Sequence, residues 1–234
     1  MMKMKTLGLI GGTGWVSSLE YYKLINEGVS KALGGLEAAR LILYSINYAD
    51  IDRLNQLKDL TGVYEIVRNA AEQLSRCNID GLMLCANTTH VFADKIVEEF
   101  HLPLVHIGEA TALKVHEKGF QKVAVLGTKF TMEMDFYRSK LAAKGIEMMI
   151  PEKEDREFIH RSINTEFLKN IFLPATKQRF LEIISGLIEK GAQGIVLGCT
   201  EIPLLIHQED VDVPVFDTLK IHAEAGVRFM VSLG

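Results

Sequence analysis

The chain has 234 residues, of which 48% are hydrophobic, enough for one large domain or two smaller lobes with buried cores. Its 26 Lys and Arg residues against 30 Asp and Glu residues give a net charge of -4, and they form no basic cluster of the kind that binds nucleic acid. Its three cysteines fit neither a disulfide framework nor a zinc site. The apolar stretch after Lys5 is short and ends at Gly11, so neither a secretory signal nor a membrane span is predicted. We therefore expect a soluble cytoplasmic protein without a nucleic-acid, membrane or metal partner.

Short apolar runs alternate with amphipathic stretches along the chain, which is typical of β-α units that build parallel sheets. The predicted class is α/β with eight buried strands, four in each half. They cover Thr6–Ile10, Leu41–Ile46, Gly81–Leu84, Leu104–Ile107, Lys122–Leu126, Ile146–Ile150, Ile195–Leu197 and Val213–Phe216. Helices are predicted between them, with a capping box at Ser17–Glu20 and glycine stops at Gly34, Gly119, Gly145 and Gly191.

Two segments share one pattern, in which a short apolar strand leads into a cysteine and then into small polar residues. They are Asp80–His90, which contains Cys85, and Gln193–Pro203, which contains Cys199. This internal repeat predicts two similar lobes with a seam near residue 112, one formed by residues 1–112 and 215–234 and the other by residues 113–214. The last helix would cross back onto the first lobe.

Both repeated cysteines fall where predicted parallel strands end, which is where ligands bind in open α/β sheets. Four small polar residues that follow them suit the first turn of a helix, and a helix N-terminus binds carboxylates and lowers the pKa of a thiol. These residues are Asn87, Thr88, Thr89 and Thr200. A lone cysteine is more often a buried structural residue, but the repetition favours chemistry. Cys77 has no such context and is interpreted as structural.

The remaining polar candidates allow more than one interpretation. Arg53 follows a predicted strand end and could bind a substrate carboxylate bidentately, although a solvated arginine is the commoner case. Glu201 could orient or polarise the Cys199 thiol, or could be a favourable charge at a helix start. His90, His106 and His116 lack metal-ligand spacing, so a structural role is favoured for each.

The glycine loop Gly8–Gly14 lacks both the dinucleotide-binding spacing and a P-loop lysine. A loop whose backbone a small ligand can approach is the better interpretation.

Six segments spread over nearly the whole chain resemble the aspartate/glutamate racemase family of amino-acid racemases, and within it the broad-specificity subgroup. They are Gly8–Trp15, Glu20–Gly28, Cys85–His90, Leu126–Arg138, Gly198–Ile202 and Pro214–Glu224. The resemblance implies two pseudo-symmetric lobes, each a four-stranded parallel sheet flanked by helices, with the active site between them. It also implies a homodimer and chemistry that needs neither pyridoxal phosphate nor a metal.

In such racemases two thiols act as acid and base on opposite faces of the substrate's α-carbon. Residue by residue, the resemblance implies Cys199 and Cys85 as the catalytic pair. It places the α-carboxylate site at Gly12, Thr13, Gly14, Asn87, Thr88, Thr89 and Thr200. Lys169 lies near a position at which some relatives bind the distal carboxylate with a lysine.

The chain departs from the family pattern at the first cysteine. The family motif is commonly Cys-Asn-Thr, whereas here Ala86 separates Cys85 from Asn87. Counted from Gly81 and Gly194, which open the two repeated strands, Ala86 and not Cys85 corresponds to Cys199. Since successive side chains of a strand point to opposite faces, Cys85 is predicted to point away from the site.

The leading hypothesis is a cofactor-independent racemase of aspartate, glutamate or a related amino acid, with Cys199 as its thiol. Two alternatives follow from Ala86. One is a single-thiol, cofactor-free decarboxylase or isomerase of the same superfamily, and the other is a non-catalytic amino-acid-binding protein.

Overall fold

The computed structural model describes residues 4–232 and divides the chain into two compact units. Unit 1 holds the described residues up to His106 together with those from His222 onward, and unit 2 holds residues 107–221. Unit 2 therefore begins before the predicted seam near residue 112. It ends at residue 221, after the predicted return to the first lobe at residue 215. The first helix of unit 2 accounts for the earlier crossing, because it packs within that unit, where Lys140 Nζ donates to Glu109 (2.7 Å).

Unit 1 contains four strands and four complete helices, joined by the end of a fifth. The strands are β1 (Leu7–Gly11), β2 (Leu41–Ser45), β3 (Gly81–Leu84) and β4 (Leu104–Val105), and the helices are α1 (Trp15–Leu33), α2 (Tyr48–Gln56), α3 (Leu60–Ser75) and α4 (Ala93–Phe100). A 3-10 turn at Thr88–Phe92 precedes α4.

Unit 2 repeats this plan. Its strands are β5 (Lys122–Gly127), β6 (Glu147–Met149), β7 (Ile195–Gly198) and β8 (Val215–Asp217), and its helices are α5 (Ile107–Glu117), α6 (Lys129–Glu133), α7 (Asp135–Ala142), α8 (Lys153–Thr165), α9 (Pro174–Glu189) and the start of α10 (Thr218–Val231). Short 3-10 turns lie at Phe167–Lys169, Ile202–Leu204 and Gln208–Asp210. Among the helices of residues 4–232, none has the length and apolar content needed to cross a membrane.

All eight predicted strands are confirmed, with ends that differ by at most two residues. They form two parallel four-stranded sheets with the same order, β2-β1-β3-β4 in unit 1 and β6-β5-β7-β8 in unit 2. The α/β class and the paired sheets are therefore as expected. The predicted glycine stops are also found, with positive φ at Gly34, Gly119, Gly145 and Gly191.

The predicted capping box at Ser17–Glu20 is wrong. Helix α1 begins earlier, at Trp15, with Gly14 as its N-cap and no capping side chain. Ser18 therefore lies inside the helix, where its hydroxyl serves the preceding glycine loop instead.

One face of each sheet is buried in an apolar cluster. The strand residues in this cluster show which side chains of each strand point to that face. In unit 1, Leu82 and Leu84 of β3 pack with α3, whose apolar residues recur at helical spacing from Val63 to Leu74. In unit 2, Ile195 and Leu197 of β7 occupy the corresponding positions in a cluster with residues of α8 and α9. The two strands thus have the same alternation relative to their helices.

The opposite face of the unit 1 sheet packs against α1 and α10. Met83 points to this side, and a Cβ built on Gly226 of α10 would lie only 2.6 Å from the Met83 sulfur. A glycine is therefore needed at residue 226 for α10 to reach the sheet.

A buried cluster of three histidines and a tyrosine anchors α10 in unit 1. Tyr21 of α1 bonds to His222 Nδ1 (2.8 Å), and His222 Nε2 lies 2.7 Å from the Val105 carbonyl. Because a carbonyl only accepts, Nε2 carries the proton and Nδ1 accepts from the tyrosine. The His90 ring packs against the rings of His106 and His222, at centroid distances of 4.7 and 5.4 Å.

Burial, and secondarily His90, lower the pKa of His222 to about 3. A histidine in the unfolded chain takes up a proton at a pH of about 6.5. The unfolded state therefore binds more protons between these two values, and stability is lost as the pH falls through that window. Burial, and secondarily His106, also lower the pKa of His90, which acts in the same direction.

We predict that His222→Gln makes the free energy of unfolding less dependent on pH. Between pH values of about 6 and 4, the wild-type slope should exceed that of the variant by about 1.4 kcal/mol per pH unit, the contribution of one histidine. Urea unfolding at several pH values measures both slopes. His116→Gln, at an exposed histidine, is the control and should keep the wild-type slope. Equal slopes for wild type and His222→Gln would contradict the prediction.

Candidate active site

The candidate site residues follow the carboxyl ends of β1, β3 and β7. We use the term carboxyl edge for the edge of a sheet at which its parallel strands end. After β1, the loop Gly12–Gly14 turns back sharply, and Gly12 has a φ of 92°. A Cβ there would collide with the Ile46 carbonyl, so only glycine fits. The Ser18 hydroxyl accepts from the Gly12 N–H (2.8 Å) and donates to the Gly14 carbonyl (3.0 Å), which holds the loop in place.

Ser18 is a site residue that the sequence reasoning missed. Its position in a serine pair before a helical stretch resembled a helix cap, which hid its contact with the loop. The glycine loop itself lies where the sequence predicted, at the carboxyl edge of the unit 1 sheet, with Thr13 half-buried between its glycines.

At the end of β3, Cys85 and Ala86 point in different directions. The Cys85 N–H donates to the Ile10 carbonyl (2.8 Å), so the strand alternation continues through this residue. Cys85 is then in phase with Met83, on the α1 and α10 side, and is only 1% exposed. Burial raises the pKa of its thiol. A buried neutral thiol of this kind is poorly suited to proton transfer with a substrate.

At the end of β7, Cys199 is in the opposite phase. It belongs to the apolar cluster of Leu197 and Ile195, two and four residues earlier, just as Ala86 lies two and four residues after Leu84 and Leu82. The backbone agrees, because the Ala86 carbonyl accepts from the Thr89 hydroxyl (2.9 Å) and the Cys199 carbonyl from the Ile202 N–H (3.2 Å), each three residues on. Ala86 therefore corresponds to Cys199.

The Cys199 thiol contacts a buried carboxylate. Its Sγ–H donates to Glu201 Oε2 at 3.1 Å, and the Thr200 hydroxyl donates to the same oxygen at 2.9 Å. Cys199 is 7% exposed and Glu201 is 5% exposed. Of the two interpretations left open for Glu201, the structure therefore favours the one in which it orients the thiol.

Two opposing influences act on the Cys199 thiol. Burial raises its pKa well above the ordinary value, and the charge of Glu201 adds to this effect. The backbone N–H groups of Glu201 and Ile202 act the other way, because they favour the thiolate. A thiolate formed here would be a strong base, held by two backbone donors beside a carboxylate that can take its proton.

The residues expected to bind the α-carboxylate lie at the same carboxyl edges as these cysteines. Asn87 and Thr89 are buried and Thr88 is half-buried, at the start of the 3-10 turn that follows β3. The Thr89 hydroxyl is engaged with the Ala86 carbonyl, and that of Thr200 with Glu201, so both help to shape the turns that carry them.

Two cationic candidates lie at the surface. Arg53 is exposed on α2 and forms an ion pair with Asp50. Lys169 is exposed in the 3-10 turn that follows α8. Arg53 belongs to unit 1 and Lys169 to unit 2.

His160 of α8 is a second residue that the sequence reasoning missed. Its Nδ1 lies 3.4 Å from the Lys129 N–H, just after the end of β5. No signal in the sequence links a histidine in the middle of α8 to the end of a strand formed some thirty residues earlier.

Among residues 4–232, no group of three or more His, Cys, Asp and Glu side chains is arranged to hold a metal ion.

We predict that Glu201→Gln lowers the pKa of the Cys199 thiol by about one pKa unit, because it removes a negative charge next to the developing thiolate. The measurement is the pH dependence of iodoacetamide alkylation, followed at Cys199 by peptide mass spectrometry. Thr200→Val is the control, since it removes a hydrogen bond to Glu201 but keeps the carboxylate. A Cys199 pKa that stays the same or rises in Glu201→Gln would show that the carboxylate does not act on this thiol.

The chain is similar to known proteins over nearly its whole length. The Asp/Glu/Hydantoin racemase family model matches residues 10–226. The broad-specificity amino-acid racemase RacX of Bacillus subtilis is 22% identical over 94% of this chain and 96% of its own. A crystal structure of a candidate Asp/Glu racemase from Yersinia pestis is 41% identical, with a TM-score of 0.90 over 98% of this chain and 100% of that one. An aspartate racemase homologue from Pyrococcus horikoshii OT3 is 34% identical, with a TM-score of 0.81 and the same coverage. The chain belongs to the Asp/Glu/Hydantoin racemase family.

Proposed function

We propose that this protein, an amino-acid racemase by its family, inverts the α-carbon of its substrate with Cys199 as the acid and base on one face. The observation that carries this proposal is the contact between the Cys199 sulfur and the buried Glu201 carboxylate at the carboxyl end of β7. A thiol paired with a proton acceptor is the feature that removal of a weakly acidic α-hydrogen requires.

In the proposed step, the Cys199 proton passes to Glu201, and the thiolate then removes the α-hydrogen of the substrate. The resulting carbanion is planar, and a proton returned to its other face gives the opposite enantiomer. Neutral hydrogen-bond donors around the α-carboxylate would stabilise the charge that develops. For this role we propose Gly12, Thr13, Gly14, Asn87, Thr88, Thr89 and Thr200, which lie in the loops and turns after β1, β3 and β7. The chemistry uses protein groups alone and no pyridoxal phosphate.

The second face of the substrate has no cysteine to protonate it in this mechanism. Ala86, which corresponds to Cys199, has no proton to give, and Cys85 is buried on the other side of its strand. We therefore propose that a hydroxyl or a water molecule, and not a second thiol, supplies the proton there. The proton on Cys199 can exchange with solvent before it is returned, and Cys199 should then often reprotonate the face from which it removed the hydrogen. One enantiomer should consequently exchange its α-hydrogen with solvent faster than it inverts.

Ala86 also favours a second candidate, a single-thiol decarboxylase in which one-sided protonation gives one enantiomer. Incubation with substituted malonates separates the two functions, because a racemase releases no carbon dioxide from them.

The three cysteines are free thiols, and acid-base chemistry at Cys199 requires it to stay reduced. We therefore propose that the protein works in the cytoplasm.

We also propose a homodimer, formed around an exposed apolar stripe on α1. Trp15, Leu19 and Tyr22 lie on one face of this helix and are 68%, 62% and 52% exposed. Together they expose roughly 300–400 Å² of side chain, as large as the biggest apolar patch of a typical monomer. A stable dimer buries about 800 Å² per partner, so the stripe could form its centre. Glu20 and Lys23 flank the stripe with opposite charges, which suits contact with a second copy.

Light scattering should show a dimer that Leu19→Glu dissociates and that Leu36→Glu, at an exposed loop leucine, does not.

We predict that Cys199→Ala slows α-hydrogen exchange about a thousandfold, because it removes the base, whereas Cys85→Ala changes it by no more than about twofold. Exchange in deuterated water is followed by proton NMR for both enantiomers of each amino acid. Cys77→Ala, at an exposed cysteine, controls for the loss of a thiol in general. A Cys85→Ala protein that folds normally but loses exchange as completely as Cys199→Ala would overturn the proposed roles.

A further inference from the structure

On the basis of the proposed racemase function, we propose that His90 is a positioning residue, which acts through the Ala86 carbonyl to hold the turn after β3 in the shape that binds the substrate's α-carboxylate. The residues to which the proposed function assigns that binding lie at the start of this turn, at Asn87, Thr88 and Thr89. His90 is 2% exposed, so it acts on a substrate through its neighbours and not by direct contact.

The His90 ring reaches back to the carbonyl of the residue four positions earlier. Its Nδ1 lies 2.9 Å from the Ala86 oxygen, and because a carbonyl only accepts, Nδ1 carries the proton and donates. The Thr89 hydroxyl donates to the same oxygen (2.9 Å), and the His90 N–H donates to the Asn87 carbonyl (3.1 Å). Two side chains and one backbone group thus restrain the residues at the start of the turn.

The His90 ring is itself held by residues from other elements of unit 1. It packs against the rings of His106, which follows β4, and of His222 on α10, at centroid distances of 4.7 and 5.4 Å. His222 in turn is bonded to Tyr21 of α1 and to the Val105 carbonyl. The ring that donates to the turn is therefore fixed in place before a substrate binds, as preorganised stabilisation of charge requires.

The corresponding turn of unit 2 is secured in another way. The repeat that pairs Ala86 with Cys199 pairs His90 with Pro203. In unit 2, the Cys199 carbonyl accepts from the Ile202 N–H (3.2 Å), and the proline ring that follows restricts the backbone. Unit 1 has a histidine in place of this proline, and the side chain of that histidine supplies the restraint.

The other end of the unit 1 turn is held independently by Phe92. This side chain belongs to the apolar cluster beneath α3, and its ring packs against that of Tyr64 at a centroid distance of 5.5 Å. Loss of the His90 hydrogen bond should therefore loosen the start of the turn, where Asn87 and Thr88 lie, without detaching the whole turn from unit 1. The expected effect is a folded protein with misplaced α-carboxylate donors.

The kinetics of α-hydrogen exchange in deuterated water test the proposal in the variant His90→Leu. KM for the best amino-acid substrate should rise about tenfold, because a loosened turn binds the α-carboxylate less well. A variant that only loses stability lowers the amount of active protein, and hence the apparent kcat, but leaves KM unchanged. His90→Asn keeps a side-chain N–H next to the Ala86 carbonyl and should restore KM to within about threefold of the wild-type value.

His106→Leu is the matched control, since it removes another buried histidine of the same cluster but keeps the hydrogen bond from His90 to Ala86. Its KM should stay within about twofold of the wild-type value. An unchanged KM in His90→Leu, or an equal rise in His106→Leu, would overturn the proposal. A KM in His90→Asn as high as that in His90→Leu would overturn it as well.

Amide hydrogen exchange of the free protein, followed by mass spectrometry, tests the link between His90 and the turn without a substrate. The segment 86–92 should exchange about tenfold faster in His90→Leu than in the wild type and in His106→Leu. Equal exchange in the three proteins would contradict the proposal. If the wild type exchanges the α-hydrogen of no amino acid, the racemase function is refuted, whereas amide exchange of this segment still decides whether His90 holds the turn.

Discussion

The two-residue period of the buried strands is the constraint on which the candidate site depends. Leu82 and Leu84 must face the apolar cluster beneath α3, and Ile195 and Leu197 must face the corresponding cluster beneath α8 and α9. Once these residues are buried, the direction of the next side chains is set. Cys199 is in phase with its cluster and Cys85 is not, so two cysteines in similar sequence settings point to different sides of their strands.

The chemistry proposed for Cys199 follows from a balance of burial and nearby charge. A thiol that is 7% exposed and next to a carboxylate resists ionisation, which makes its thiolate a strong base when it forms. The same low exposure strengthens every hydrogen bond around it. The proposed mechanism combines this base with neutral donors at the strand ends.

Much of this could be predicted from the sequence, because the features concerned are local. Strands are short apolar runs, and the position of Ala86 follows from counting along two similar segments. The predicted start of α1 is wrong because Ser17 and Ser18 resemble a helix cap, whereas the Ser18 hydroxyl bonds to a loop several residues earlier. The cluster of Tyr21, His90, His106 and His222 could not be predicted, since only the order of strands brings residues so distant in sequence together. The ion pair of Lys129 with Glu157 and the contacts of His160 with its neighbours depend on the packing of α8 for the same reason.

The most direct test of the account is the racemisation rate of the Ala86→Cys protein. Residue 86 corresponds in unit 1 to Cys199 in unit 2, so in the proposed mechanism a cysteine at residue 86 would provide the second thiol. We predict that kcat for racemisation, measured by chiral chromatography, rises by about tenfold or more. We also predict that the difference between exchange and inversion disappears. A folded Ala86→Cys protein with native melting temperature and no gain in racemisation would contradict the account.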